Sequence, residues 1–95
     1  MSELMRRRLR LCGDVQGVGL RWRARHAANA VGATGWVRNL PDGTVLMELQ
    51  GREEQIDTVL QALDRSLYIR ITDMDVQSVP VQSDERDFVT RDDVW

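Results

Sequence analysis

Lysine is missing altogether, so that all thirteen basic residues are arginine, and cysteine and histidine occur once each. Proline occurs twice, and Phe and Tyr once each. Each shortage excludes something. The lone Cys12 can form no internal disulfide, and with His26 as the sole histidine there is no thiolate or imidazole set at the spacing of a structural zinc site. No metal and no cofactor are therefore expected, and a reducing compartment, the cytoplasm, is the expected location. With so few aromatics the chain offers no motif for stacking nucleic-acid bases. No apolar run approaches the roughly 18 residues of a membrane span. The start, MSELMRRRLRL, lacks the uninterrupted apolar stretch of a secretory signal, so no membrane association is expected.

What is present is an ordinary globular balance, 42% hydrophobic and 29% charged, which argues against a disordered or fibrous chain. Ninety-five residues suffice for a single core, so one domain over residues 1–95 is expected, with its core at about 7–91, acting as a monomer. The net charge is only −2 but is unevenly spread: residues 1–40 hold eight arginines and two acids, residues 41–95 five arginines and thirteen acids. The first half is the anion-binding half by this count. Arginine offers a planar fork of donors suited to phosphate, although most exposed arginines only solvate a surface.

The apolar pattern divides the chain into segments. Arg7 to Gly13 alternates around Leu9 and Leu11 as a half-buried strand does. Leu20, Ala24, Ala27, Ala28 and Val31 form one helical stripe that stops at Gly32. Gly35 to Leu40 reads as a strand, Pro41-Asp42-Gly43 as a turn, and Thr44 to Gln50 as the returning strand with Val45, Met47 and Leu49 on one face. Ile56, Val59, Leu60 and Leu63 repeat at helical spacing behind Glu53 and Glu54, acids suited to a helix start. Ile69 and Ile71 then share one phase and Met74 and Val76 the other, as a bulge or a break between two strands requires. A short strand at Phe88 to Arg91 completes the series, and the acidic end, Arg91 to Trp95, is expected to fray. This order predicts an α+β fold of the ferredoxin-like split βαβ plan (βαββαβ), an antiparallel sheet with two helices on one face.

Between the first strand and the first helix lies Gly13-Asp14-Val15-Gln16-Gly17-Val18-Gly19. Glycines at this spacing let successive N–H groups turn toward one point and form a nest for an anion. The helix entered at Leu20 adds unpaired N–H groups and its dipole, and Arg21 can fold over the same anion. An ordinary tight turn would also explain the glycines. The loop has no lysine of a nucleotide P-loop and no third glycine spaced for a dinucleotide fold.

Gly13-Asp14-Val15-Gln16-Gly17-Val18-Gly19-Leu20-Arg21 closely resembles the first signature of the acylphosphatase family. Gly35-Trp36-Val37-Arg38-Asn39, followed by Gly43-Thr44-Val45 and Gly51, resembles its second. The resemblance covers about residues 7 to 65. It implies the split βαβ fold and hydrolysis of the carboxyl-phosphate bond of acyl phosphates to carboxylate and inorganic phosphate. It implies Arg21 as the phosphate-binding catalytic arginine and Asn39 as the residue that orients the attacking water. The phosphate cradle it implies is the backbone of Val15, Gln16, Gly17, Val18, Gly19 and Leu20. Two departures stand out: Leu20 occupies a position where the family usually has Phe or Met, and Arg65-Ser66-Leu67-Tyr68 lacks the customary glycine-proline loop.

This chemistry suits the residues. An acyl phosphate has a good leaving group, so hydrolysis needs the dianion held, its charge stabilised and a water aligned. Asn39 can orient water without being a strong base, and inorganic phosphate or sulfate should compete with substrate. His26 reads as a helix-surface residue and Cys12 as a strand cysteine. Asp14 should face solvent, Arg38 the opposite sheet face from Asn39, and Arg23 a face away from Arg21, with Arg25 one turn on adding field. Trp22 and Trp36 read as packing residues, Trp95 as a loose end. The alternatives on the same fold are a non-catalytic module binding phosphate or carbamoyl phosphate, an inactive relative, and an RNA-binding domain using Arg6, Arg7, Arg8 and Arg10 as a phosphate-tracking strip. The aromatic shortage counts against the last, the intact Arg21 and Asn39 against the inactive relative. The shortness of the chain counts against a part in a larger maturation machine.

Overall fold

The computed structural model describes residues 3–91; most of the acidic end, with Trp95, lies outside them. The elements run β1 (Met5–Asp14), α1 (Leu20–Val31), β2 (Thr34–Asn39), β3 (Val45–Gly51), α2 (Glu53–Asp64), β4 (Arg70–Val79) and β5 (Phe88–Thr90). The sheet order is β4-β1-β3-β2-β5. In this ferredoxin-like arrangement β3 lies between β1 and β2 and is antiparallel to both. The sheet is mixed rather than wholly antiparallel, because β5 joins β2 in parallel. The chain reaches β5 from the far edge strand β4, to which β5 runs antiparallel; at the opposite edge of the sheet that direction is the direction of β2.

Register puts Leu9 and Leu11 of β1 opposite Met47 and Val45 of β3, with Val37 of β2 beyond Met47. These residues are fully buried, together with Ala24 and Ala28 of α1 and Val59 and Leu63 of α2. The two helical stripes therefore close on one face of the sheet, as the spacing predicts. At the end of α1 the Ala33 N–H donates to Ala28 O at 2.9 Å. Gln55 ties the two helices together: its Oε1 accepts from the Arg52 N–H at 2.7 Å and its Nε2 donates to Val31 O at 2.7 Å.

The phase change in the seventies comes from a bulge, not from a break between two strands. Cys12 pairs with Asp73 while Gly13 pairs with Ile71, which leaves Thr72 as the extra residue in β4.

Part of the other sheet face, around Arg6, Glu48 and Gln50, is covered by the segment between β4 and β5. Gln50 exchanges hydrogen bonds with the backbone of Gln82 at 2.9 and 2.8 Å. Arg6, buried, donates from Nε to Glu48 at 2.7 Å and from both Nη atoms to Glu85 at 2.7 and 3.1 Å. Arg8 donates to the other oxygen of Glu48, and Arg10 pairs with Asp42. Three of the four arginines of the proposed polyanion strip are thus held by the protein's own acids.

Candidate active site

The loop between β1 and α1 is anchored at both ends. Val15 and Leu20 are buried in the core, 1% and 2% exposed. Between them Gln16 Nε2 donates to Leu40 O at 2.7 Å and to Thr44 O at 2.9 Å, which fastens the loop to the turn joining β2 and β3. Gly17 and Gly19 have φ of 73° and 79°, the left-handed conformation that side chains disfavour. Gly19 is the N-cap of α1, no side chain caps that end, and no acid lies in the first turn. The first intrahelical bond is Arg23 N–H to Gly19 O at 3.0 Å. The N–H groups ahead of it have no acceptor within the helix, and they carry the positive end of its dipole.

Asn39 ends β2 opposite Val45. Strand alternation places it on the same face as buried Val37, the helix side, and it is 7% exposed. Arg38 falls on the other face, with Trp36, over whose ring the Arg91 guanidinium lies at 4.3 Å.

These parts meet in one hollow of about 340 Å³, lined by Val15, Gly17, Gly19, Leu20, Arg21, Trp22, Arg25, Asn39 and Thr90. Two guanidinium-bearing residues and no carboxylate line it, so an anion would meet only attraction from its walls. A wider hollow of about 520 Å³ between α2 and β4 holds Asp64 and Asp73 and no cation, the wrong sign for phosphate. Among the described residues no group of three or more His, Cys, Asp or Glu is placed to hold a metal ion. Among the described residues no helix is long and apolar enough to cross a membrane.

Of the residues singled out from sequence, Arg21, Asn39, Val15, Gly17, Gly19 and Leu20 line the hollow together. Gln16 and Val18 do not: Gln16 binds the turn carbonyls, and Val18 packs partly against the core. Asp14 is exposed, as expected. Arg23 donates to Ala62 O at 2.6 Å, bracing α1 on α2. His26 is exposed and stacks on Trp22 with ring centroids 4.9 Å apart. Trp22 corrects an expectation: it is 57% exposed and forms part of the wall, not of the packing. Thr90 was not foreseen, since only the parallel pairing of β5 with β2 brings it there.

The acylphosphatase family model matches residues 7–90. The chain is 39% identical over 77 residues to an acylphosphatase of Geobacillus kaustophilus, an alignment covering 80% of this chain and 82% of that one. It superposes on the crystal structure of an acylphosphatase from Bacillus subtilis with a TM-score of 0.82 and 27% identity, covering 92% and 98% of the two chains. A full-length HypF crystallised in its phosphate- and nucleotide-bound form is similar with a TM-score of 0.83 over 98% of this chain and 12% of that one. At 24% identity this last likeness is one of fold alone.

Proposed function

Because the chain belongs to the acylphosphatase family and is an acylphosphatase, we propose that Arg21 and Asn39 are its catalytic side chains and the backbone around Gly17 and Gly19 its phosphate cradle. One observation carries the reading: Arg21, the two left-handed glycines, the uncapped start of α1 and Asn39 line a single hollow, although they come from separate elements.

The substrate's phosphoryl oxygens accept hydrogen bonds from the loop N–H groups and from the Arg21 fork, which also stabilise the charge that spreads over them in transfer. Asn39 holds a water in line with phosphorus. The water oxygen bonds to phosphorus, the bond from phosphorus to the acyl oxygen breaks, and the carboxylate leaves with the electron pair. The water's proton passes to a phosphoryl oxygen, so no side chain need act as a strong base and no metal is required. Inorganic phosphate and sulfate occupy the same cradle and compete. The enzyme works as a cytoplasmic monomer, with no nucleic-acid partner.

The test is hydrolysis of acetyl phosphate in buffer containing EDTA, wild type beside Arg21→Ala. Undiminished wild-type turnover is expected, with Arg21→Ala lower by about a thousandfold or more. Loss of wild-type activity to EDTA, restored by a divalent ion, would overturn the metal-free mechanism; turnover by Arg21→Ala near the wild-type rate would overturn the role of Arg21.

A further inference from the structure

Trp22 is a large apolar side chain left 57% exposed in the first turn of α1. Its position is held: the indole lies against the His26 ring at an interplanar angle of 8°. Trp22 and Arg25 line the hollow that contains Arg21 and Asn39, and both also line a second hollow of about 350 Å³ completed by His26, Asn29 and Ala30. They are therefore the wall common to the two. No carboxylate lines either space. Asn29 is occupied by the backbone of Phe88, to which its amide both donates and accepts at 3.2 and 3.0 Å. That leaves the indole as the broad apolar surface beside the cradle. Small-molecule sites typically combine such a surface with a few fixed polar groups.

We propose that Trp22, braced by His26, receives the acyl group of the substrate, and that the protein selects acyl phosphates whose acyl group is planar, aromatic or conjugated. The inference rests on the reading that the phosphoryl group lies in the cradle of Gly17 to Arg21. With phosphate there, the acyl group leaves the hollow beside the first turn of α1, where the indole stands. Offset stacking of a flat acyl group on the indole adds attraction that a methyl group cannot match. The His26 stack restrains the indole before substrate arrives, so less freedom is lost on binding.

Trp22 acts on binding, so its signature is in KM. Benzoyl and acetyl phosphate are compared in wild type, Trp22→Ala and Trp22→Phe. The ratio of kcat/KM for benzoyl over acetyl phosphate should fall about fivefold in Trp22→Ala, through a higher KM for benzoyl phosphate, and be largely restored in Trp22→Phe. Dividing one variant's ratio by another's cancels the intrinsic reactivity of the two anhydrides. A ratio equal to that of wild type in Trp22→Ala overturns the inference, as does a fall carried by kcat alone. Failure of the Arg21 assignment would appear in acetyl phosphate turnover by Arg21→Ala, a separate measurement that leaves this ratio readable.

Discussion

A buried amide at a strand end costs free energy unless it is hydrogen-bonded, and Asn39 occupies such a place among apolar neighbours on the helix side of β2. The proposed role in positioning water would account for an amide rather than an apolar residue at this place. If Asn39 only orients the nucleophile, Asn39→Ala should lower kcat about a hundredfold and leave inhibition by inorganic phosphate close to wild type. An unchanged kcat would remove Asn39 from the mechanism. Arg21 could be singled out from a local signal, glycine spacing before a helix, whereas a short strand before a Pro-Asp-Gly turn leaves Asn39 an ordinary strand-end residue, and only the resemblance of Gly35 to Asn39 to the family's second signature singles it out. Trp22 reads as a packing residue by its type, although its helical position carries a different signal. At about 100° per residue it lies roughly 200° from Leu20, on the side of α1 opposite the stripe of Leu20, Ala24 and Ala28. An aromatic there faces solvent or a site.

Among the elements, β5 contributes to the hollow despite its shortness. Three residues long and at the sheet edge, it supplies Thr90 to the wall. Its anchors are buried Phe88 and the paired hydrogen bonds between Asn29 and the Phe88 backbone. Each such bond contributes about 0.5–1.5 kcal/mol net. Asn29→Ala is therefore expected to destabilise the protein by about 1–3 kcal/mol in urea unfolding and to speed amide exchange at Phe88. Protection at Phe88 equal to wild type would show that β5 is held by other means. The existence of this strand was legible in Phe88 to Arg91, but its parallel direction was not. Strand direction depends on the path of the chain across the sheet, and three residues carry no pattern that records it. The bulge in β4 was half legible: the phase change was visible, and only the register with β1 identified Thr72 as the extra residue rather than a break.

For the molecule as a whole, the uneven charge in the sequence proves to be partly internal neutralisation. Arg6, Arg8 and Arg10 from the basic half meet Glu48, Glu85 and Asp42 from the acidic half, while Arg21 and Arg25 line the hollow. Composition could show the surplus but not this pairing, which depends on the register of β1 against β3. Burial alone would raise the Glu48 carboxyl, yet hydrogen bonds and charge from Arg6 and Arg8 outweigh it and hold the group below its usual range. Burial likewise disfavours charged Arg6, and its bonds to Glu85 and Glu48 more than offset this. A carboxyl with a depressed folded-state pKa adds stability that is present above its unfolded value of about 4.3 and is lost as pH falls through the lower folded value. The urea midpoint of the wild type should therefore decline on acidification below about pH 5. Asp42, held down by the Thr44 hydroxyl and N–H and then by Arg10, loses its charge in the same direction, so the Glu48 part must be separated by substitution. Glu48→Gln leaves Arg6 buried with half of its countercharge. It should cost about 3–5 kcal/mol at neutral pH, as breaking one partner of a buried pair does, and show a shallower decline in acid. Curves for the two proteins that run parallel from pH 7 to pH 3 would mean that Glu48 does not stabilise the fold through its charge, and that the Arg6 cluster is held by packing and by Glu85 instead.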